Sequence, residues 1–258
     1  MANETTNNRK ALLVTPEACI GCRACQVACK SWNQLPGIKT TNQGTYQNPP
    51  DLASAALNII RYSEVPSQEN PVRWLFVSRR CMHCEDAGCM TVCPSGALYR
   101  TPEGAVAYDR DKCIGCKLCV TACPFDVPRY DADGKVTKCH LCVDRIGAAM
   151  QPACVKTCPT GALKFGDRND LISTAKKDGF TTIYGEKDLS GLGTIYAFKD
   201  EPQLYGMKQN PSIPSSVVFW HTYLKPLSLF GLGGVVAAAA IHYLAIGPHK
   251  EKEEEKEV

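Results

Sequence analysis

Cys113-Ile-Gly-Cys116-Lys-Leu-Cys119-Val-Thr-Ala-Cys123-Pro124 sets four cysteines at spacings of two, two and three residues and closes on proline. The same spacing occurs earlier, at Cys19-Ile-Gly-Cys22-Arg-Ala-Cys25-Gln-Val-Ala-Cys29, without the proline. Two stretched versions complete the set: Cys81-x2-Cys84-x4-Cys89-x3-Cys93-Pro94 and Cys139-x2-Cys142-x11-Cys154-x3-Cys158-Pro159. Together they use all 16 cysteines of the 258-residue chain, and none lies beyond Cys158.

This is the spacing of bacterial iron-sulfur proteins, in which three close thiolates hold one cuboidal cluster and the fourth, beyond a short turn, ligates a second cluster. Four motifs with three local ligands and one exported ligand each give four complete four-thiolate sites, with no cysteine left over. Zinc favours isolated Cys-x2-Cys pairs meeting at one tetrahedral ion, which leaves triplets with a displaced fourth cysteine unexplained. A disulfide framework fits poorly with such regular Cys-x2-Cys pairs and with a polar start that reads as carrying no secretory signal.

The echoes run past the cysteines. Cys93-Pro-Ser-Gly-Ala-Leu98 matches Cys158-Pro-Thr-Gly-Ala-Leu163, and Cys-Ile-Gly-Cys occurs at both 19 and 113. They imply duplication of a two-cluster module, with Gly21 and Gly115 letting backbone N–H groups approach sulfur. If fourth ligands are exchanged within each module, four 4Fe-4S clusters are expected. Cluster A is held by Cys19, Cys22, Cys25 and Cys158, and cluster B by Cys29, Cys139, Cys142 and Cys154. Cluster C takes Cys81, Cys84, Cys89 and Cys123, and cluster D takes Cys93, Cys113, Cys116 and Cys119.

The fold class expected is α+β: duplicated bacterial-ferredoxin-like modules over residues 1–164, with an insertion at 30–80, then a small appended α/β segment at 165–215. Strands are expected at 58–65 and 72–78 around a Pro-Ser-Gln-Glu-Asn-Pro turn, with a helix at 170–177 and strands at 181–184 and 194–198. Pro226 to Gly247 contains no Asp, Glu, Lys or Arg; as a helix it would span roughly 33 Å against a hydrocarbon core of roughly 30 Å. A single C-terminal transmembrane helix is therefore expected at 216–248, followed by a charged tail at 249–258. Its glycines and alanines suit close packing on a partner helix. Lys208 and Lys225 precede the run, while Lys250, Lys252 and Lys256 follow it, which favours a cytoplasmic C-terminus.

With 29 basic and 26 acidic residues and no long basic block, the chain shows no electrostatic footprint for nucleic acid. No catalytic residue or substrate pocket is identified. His83, between two cysteines, reads as a packed or solvent-facing polar residue, because four cysteines already complete its site. His242, inside the apolar run, reads either as a functional group near a partner's haem or proton path, or as a hydrogen-bonding residue near the membrane interface.

Cys81-Met-His-Cys-Glu-Asp, Ala122-Cys-Pro-Phe-Asp-Val-Pro-Arg129 and Pro152-Ala-Cys-Val-Lys-Thr-Cys-Pro-Thr-Gly161, with the first motif, resemble the four-cluster subunits that accompany molybdopterin enzymes of the dimethyl-sulfoxide-reductase family. The likeness covers roughly residues 10 to 165. Leu224-Lys-Pro-Leu and Ile241-His-Tyr-Leu-Ala-Ile-Gly-Pro-His-Lys250 look like the membrane anchor of the iron-sulfur (beta) subunit of respiratory formate dehydrogenase. The resemblance implies a non-catalytic electron-transfer subunit. Its expected partners are a molybdenum- or tungsten-pterin catalytic (alpha) subunit that oxidises formate, a membrane cytochrome b (gamma) subunit that reduces quinone, and the lipid bilayer. It places the chain in the bacterial inner membrane with its body on the periplasmic side. The alternative is the equivalent relay of a hydrogenase or polysulfide-type reductase.

Overall fold

The computed structural model describes residues 9–66 and 71–254. The strands are β1 (Lys10–Val14), β2 (Ile59–Val65), β3 (Arg73–Arg79), β4 (Leu98–Arg100), β5 (Val106–Tyr108), β6 (Arg129–Tyr130), β7 (Val136–Thr137), β8 (Leu163–Asp167), β9 (Thr182–Tyr184) and β10 (Thr194–Phe198). The helices are α1 (Ala24–Trp32), α2 (Gly88–Thr91), α3 (Leu118–Thr121), α4 (Val143–Gly147), α5 (Ala153–Lys156), α6 (Arg168–Lys177), α7 (Ser215–Phe219) and α8 (Lys225–Glu254).

One sheet carries the rest. Its order is β8-β1-β10-β9, with β1 parallel to β10 and antiparallel to β8. Apart from its first residue, β1 is Ala-Leu-Leu-Val, and β10 is Thr-Ile-Tyr-Ala-Phe; such unbroken apolar runs suit strands covered on both faces. The register pairs Leu12 with Thr194, Leu13 with Ile195 and Val14 with Tyr196. Because successive side chains alternate, Leu13, Ile195 and Ala197 meet Ile172 and Ala175 of α6 on one face. Leu12, Val14, Tyr196 and Phe198 enter the main core on the other, among Cys25 and Cys154.

The expected strands at 58–65 and 72–78 form the antiparallel hairpin β2–β3, from Ile59 opposite Arg79 to Val65 opposite Arg73. Residues 67–70 of the expected turn lie outside the described residues, as do the polar start (1–8) and residues 255–258 of the tail. The duplication seen in the sequence is present in the backbone: β4 starts at Leu98 and β8 at Leu163, each five residues after the last cysteine of its motif. The stretch expected as a small appended segment supplies α6, β9 and β10 to the same sheet as β1, and the compact unit that contains them ends at Ile213.

A second unit begins at Pro214. It consists of α7, a π-helical turn at Trp220–Leu224, and α8. With 30 residues, α8 is about 45 Å long at 1.5 Å per residue and covers the uncharged run without a break. Leu227, Phe230, Val235, Val236, Ile241 and Leu244 on it are exposed. Among the described residues no helix is both long and apolar enough to cross a membrane. Ser228, Gly231, Gly233, Gly234 and His242 dilute the apolar content of α8.

Candidate metal centres

Each motif opens with a tight loop whose third residue has a positive φ: Gly21 (68°), His83 (47°), Gly115 (71°) and Leu141 (61°). That curl turns the backbone N–H back toward the first cysteine. His83 N–H donates to Cys81 Sγ at 3.5 Å, and the N–H groups of Gly21 and Leu141 reach Cys19 and Cys139 in the same way. In the third motif Val136 N–H donates to Cys113 Sγ at 3.4 Å.

The third cysteine of every motif is the second residue of a helix: Cys25 in α1, Cys89 in α2, Cys119 in α3 and Cys154 in α5. The fourth comes four residues later. Cys29 stays within α1, whereas Cys93, Cys123 and Cys158 lie two residues past the ends of α2, α3 and α5, where their N–H groups donate to Met90 O, Val120 O and Val155 O at 3.1, 3.2 and 3.1 Å; the x3 spacing thus carries the fourth cysteine one tight turn beyond the third. Pro94, Pro124 and Pro159 follow the fourth cysteine and stop α2, α3 and α5 at four residues, since the residue before proline avoids helical backbone. Lys30 follows Cys29 instead, and α1 runs on to Trp32.

The second motif hangs from the sheet. Gly193 and Thr194 N–H both donate to Met82 O at 2.9 Å, Glu85 N–H donates to Gly191 O at 2.8 Å, and Thr194 Oγ1 donates to Cys81 O at 2.9 Å. Gly193 permits this approach, since a Cβ there would lie 2.9 Å from the Cβ of His83.

The cysteines gather in groups. Cys19, Cys22, Cys25 and Cys158 line one cavity, walled by Val14, Ile60 and Leu163. Burial, and then the neighbouring Cys139, Cys154 and Cys142, push the Cys29 thiol well above its ordinary range. Burial followed by Cys81, Cys123 and Cys89 does the same to Cys84. Cys113 and Cys119 pack with Cys89 and Cys93 around Val136. Cys119 is raised by burial, with Cys116 and Cys113 adding to it against a hydrogen bond from Tyr130. Neighbouring groups share packed clusters of side chains: Cys25 with Cys154, Cys139 with Cys81, and Cys89 with Cys119. Cys22 and Cys116 are exposed.

These side chains fit cuboidal iron-sulfur clusters. All sixteen are free thiols. Burial pushes Cys139 and Cys89 up to about 12 and Cys123 to about 11. Such thiols are unreactive unless a metal takes the proton's place. Cys93 goes the other way: burial raises it, but N–H groups of Leu98, Ala97 and Ser95 and the Ser95 hydroxyl outweigh that and lower it. Among the described residues three buried N–H donors, Arg9 Nε, Asn58 Nδ2 and His83 Nε2, have no acceptor within hydrogen-bond distance; the last two stand beside cysteine loops, where cluster sulfur is an acceptor.

His83 is fully buried, with Nδ1 accepting from Val106 N–H at 3.0 Å. Burial, then Lys138 and Arg9, hold its pKa well below the ordinary histidine range, so it is a neutral, packed imidazole. His242 is exposed on α8. Sequence reasoning passed over Arg80, Lys138, Asn58 and Tyr130, whose side chains face the cysteine groups. The first two had a signal: each directly precedes the first cysteine of a motif.

Residues 18–97 and 72–168 each match a family described as 4Fe-4S dicluster domain, and residues 213–256 match one described as formate dehydrogenase N, transmembrane. The formate dehydrogenase-O iron-sulfur subunit of Escherichia coli (strain K12) is 40% identical, over 95% of this chain and 86% of the relative. The chain belongs to the formate dehydrogenase iron-sulfur subunits. Such a subunit transfers electrons and is not the catalytic one, and its two dicluster domains with sixteen cysteines correspond to four 4Fe-4S clusters. Formate dehydrogenase 2 subunit beta (cytochrome c-553) of Nitratidesulfovibrio vulgaris is 36% identical over 76% of this chain and 96% of its own length, so about a quarter of this formate dehydrogenase subunit has no counterpart there. The hydrogenase-2 operon protein HybA of Escherichia coli O157:H7 is 35% identical over 77% of this chain and 66% of the relative.

Proposed function

We propose that this subunit carries electrons from a molybdenum- or tungsten-pterin catalytic subunit oxidising formate to a membrane cytochrome b that reduces quinone. The ligand sets are clusters A (Cys19, Cys22, Cys25, Cys158), B (Cys29, Cys139, Cys142, Cys154), C (Cys81, Cys84, Cys89, Cys123) and D (Cys93, Cys113, Cys116, Cys119). The clusters supply reversible one-electron chemistry. The protein contributes spacing, hydrogen bonds to sulfur and exclusion of water. The observation that carries the reading is the one-turn separation of third and fourth cysteines, which locks each group to the next.

Contacts between groups support the order A, B, C, D. The exposed Cys22 and Cys116 mark A and D as the ends through which electrons enter and leave. Residues 216–248 serve as a single-pass anchor in the bacterial inner membrane, with the body on the periplasmic side and the C-terminus in the cytoplasm; the match of residues 213–256 to a transmembrane family supports this. In the complex purified from membranes, formate should reduce clusters whose paramagnetic signals belong to this subunit, and added quinone should reoxidise them. The similarity to HybA keeps a hydrogenase relay as the second reading. That reading takes over if the co-purifying catalytic subunit reduces the clusters with hydrogen and not with formate.

A further inference from the structure

Arg80 and Lys138 are 1% and 2% exposed, the two most deeply buried cations among the described residues. A buried charge needs a partner. The groups that favour their charge are cysteines and tyrosines: Cys154, Cys25, Cys139 and Tyr196 around Arg80, and Cys81, Cys89, Cys139 and Tyr108 around Lys138.

Their placement is reciprocal. Arg80 precedes the motif that opens group C, yet its Nη1 lies 2.9 Å from Cys154 Sγ in group B, and Cys25 of group A also favours its charge. Asn58 Oδ1 accepts from Nη2 and Ser78 Oγ accepts from Nε, both at 3.0 Å, which fixes the guanidinium plane. Lys138 precedes the motif that opens group B, yet its Nζ lies 3.8 Å from Cys81 Sγ in group C. Cys139 O at 3.1 Å and Val106 O hold the ammonium there. These two motifs thus each place a cation against a cysteine of the other's centre.

We propose that Arg80 and Lys138 are fixed counter-charges that raise the reduction potentials of the centres they lie between, A with B and B with C, leaving D untouched. An electron arriving at a cluster adds negative charge beside the buried Cys25, Cys139 and Cys154, where solvent screens it weakly. A cation held 2.9 or 3.8 Å from a ligand sulfur favours that reduced form, and its hydrogen bonds keep it from swinging to solvent. The two inner centres, B above all, become the most easily reduced part of the wire. Both residues are positioning residues here, acting on the clusters through space.

The proposal rests on the ligand sets given above, and the test separates the two. Redox titration of the purified complex, followed by electron paramagnetic resonance and with iron counted, is performed on wild type, Arg80→Met and Lys138→Met. The expected result is full iron with the reduction equilibria of A and B weakened at least tenfold in the first variant, and those of B and C in the second. Tenfold is about 59 mV for a one-electron couple. Arg80→Lys and Lys138→Arg should restore them. Full iron with unmoved potentials, or a shift confined to D, overturns the proposal. Fewer than four cluster signals in wild type overturns the ligand sets instead. If Arg80→Met loses iron, Arg80→Lys and Arg80→Gln decide. Recovery of iron and potentials by Lys alone supports the charge, and equal recovery by the neutral Gln overturns it. Should no Arg80 variant assemble, the Lys138 pair decides by the same criteria.

Discussion

At Gly115 a positive φ of 71° coincides with the carbonyl oxygen of Gly134, 2.9 Å from where a Cβ would sit. The obstacle is backbone and cannot rotate away. Gly115→Ala is therefore expected to cost at least the ~1–2 kcal/mol of left-handed backbone for an L-residue, spent on moving the loop that carries Cys116. The complex should lose the signal of cluster D while A, B and C persist, which spectroscopy on the purified variant can check. An unchanged cluster D would contradict this account of the loop. His83 and Leu141 occupy the same place in their motifs without being glycine. The sequence announced the special backbone at the two Cys-Ile-Gly-Cys loops and concealed it at the other two, because a left-handed residue without glycine leaves no compositional mark. Arg80 and Lys138 were legible only as charges beside cysteines; that they turn inward is a property of the packed core.

Between elements, the contact that matters most to the centres joins β10 to the Cys81 loop. Thr194 is fully buried, and its hydroxyl is the donor to Cys81 O. Thr194→Val keeps the shape and β-branching but leaves a buried carbonyl without that donor, a loss of ~1–3 kcal/mol. At about 2–4 °C per kcal/mol for a domain of this size, the midpoint of thermal unfolding of the holo-complex should fall by several degrees, with cluster C bleaching first. A midpoint within one degree of wild type, approximately, would show that the sheet does not hold this loop. The hairpin at 59–79, helix α6 and strand β10 could be read from local pattern, since β-branched and aromatic alternation and a short polar-apolar period are written in adjacent residues. The parallel pairing of β1 with β10 could not. It joins residues some 180 positions apart, and nothing in either strand names its partner.

Across the whole molecule, the cysteine count made four clusters readable from the sequence, and the tight turn between third and fourth cysteines accounts for the displaced fourth ligand of each motif. In the proposed ligand sets each motif spans two centres, and the order of groups, A to D, differs from the order of motifs along the chain, where the first and fourth motifs enclose the second and third. The account stands or falls on this crossing. The most direct test is Cys158→Ser in the purified complex, compared by electron paramagnetic resonance with Cys22→Ser and Cys142→Ser. In the proposed ligand sets Cys158 is the exported ligand of cluster A, so Cys158→Ser should perturb or remove the same signal as Cys22→Ser and leave untouched the one that Cys142→Ser affects. If Cys158→Ser instead alters the signal lost in Cys142→Ser, each motif closes on its own cluster and the interlocked wire described here is wrong.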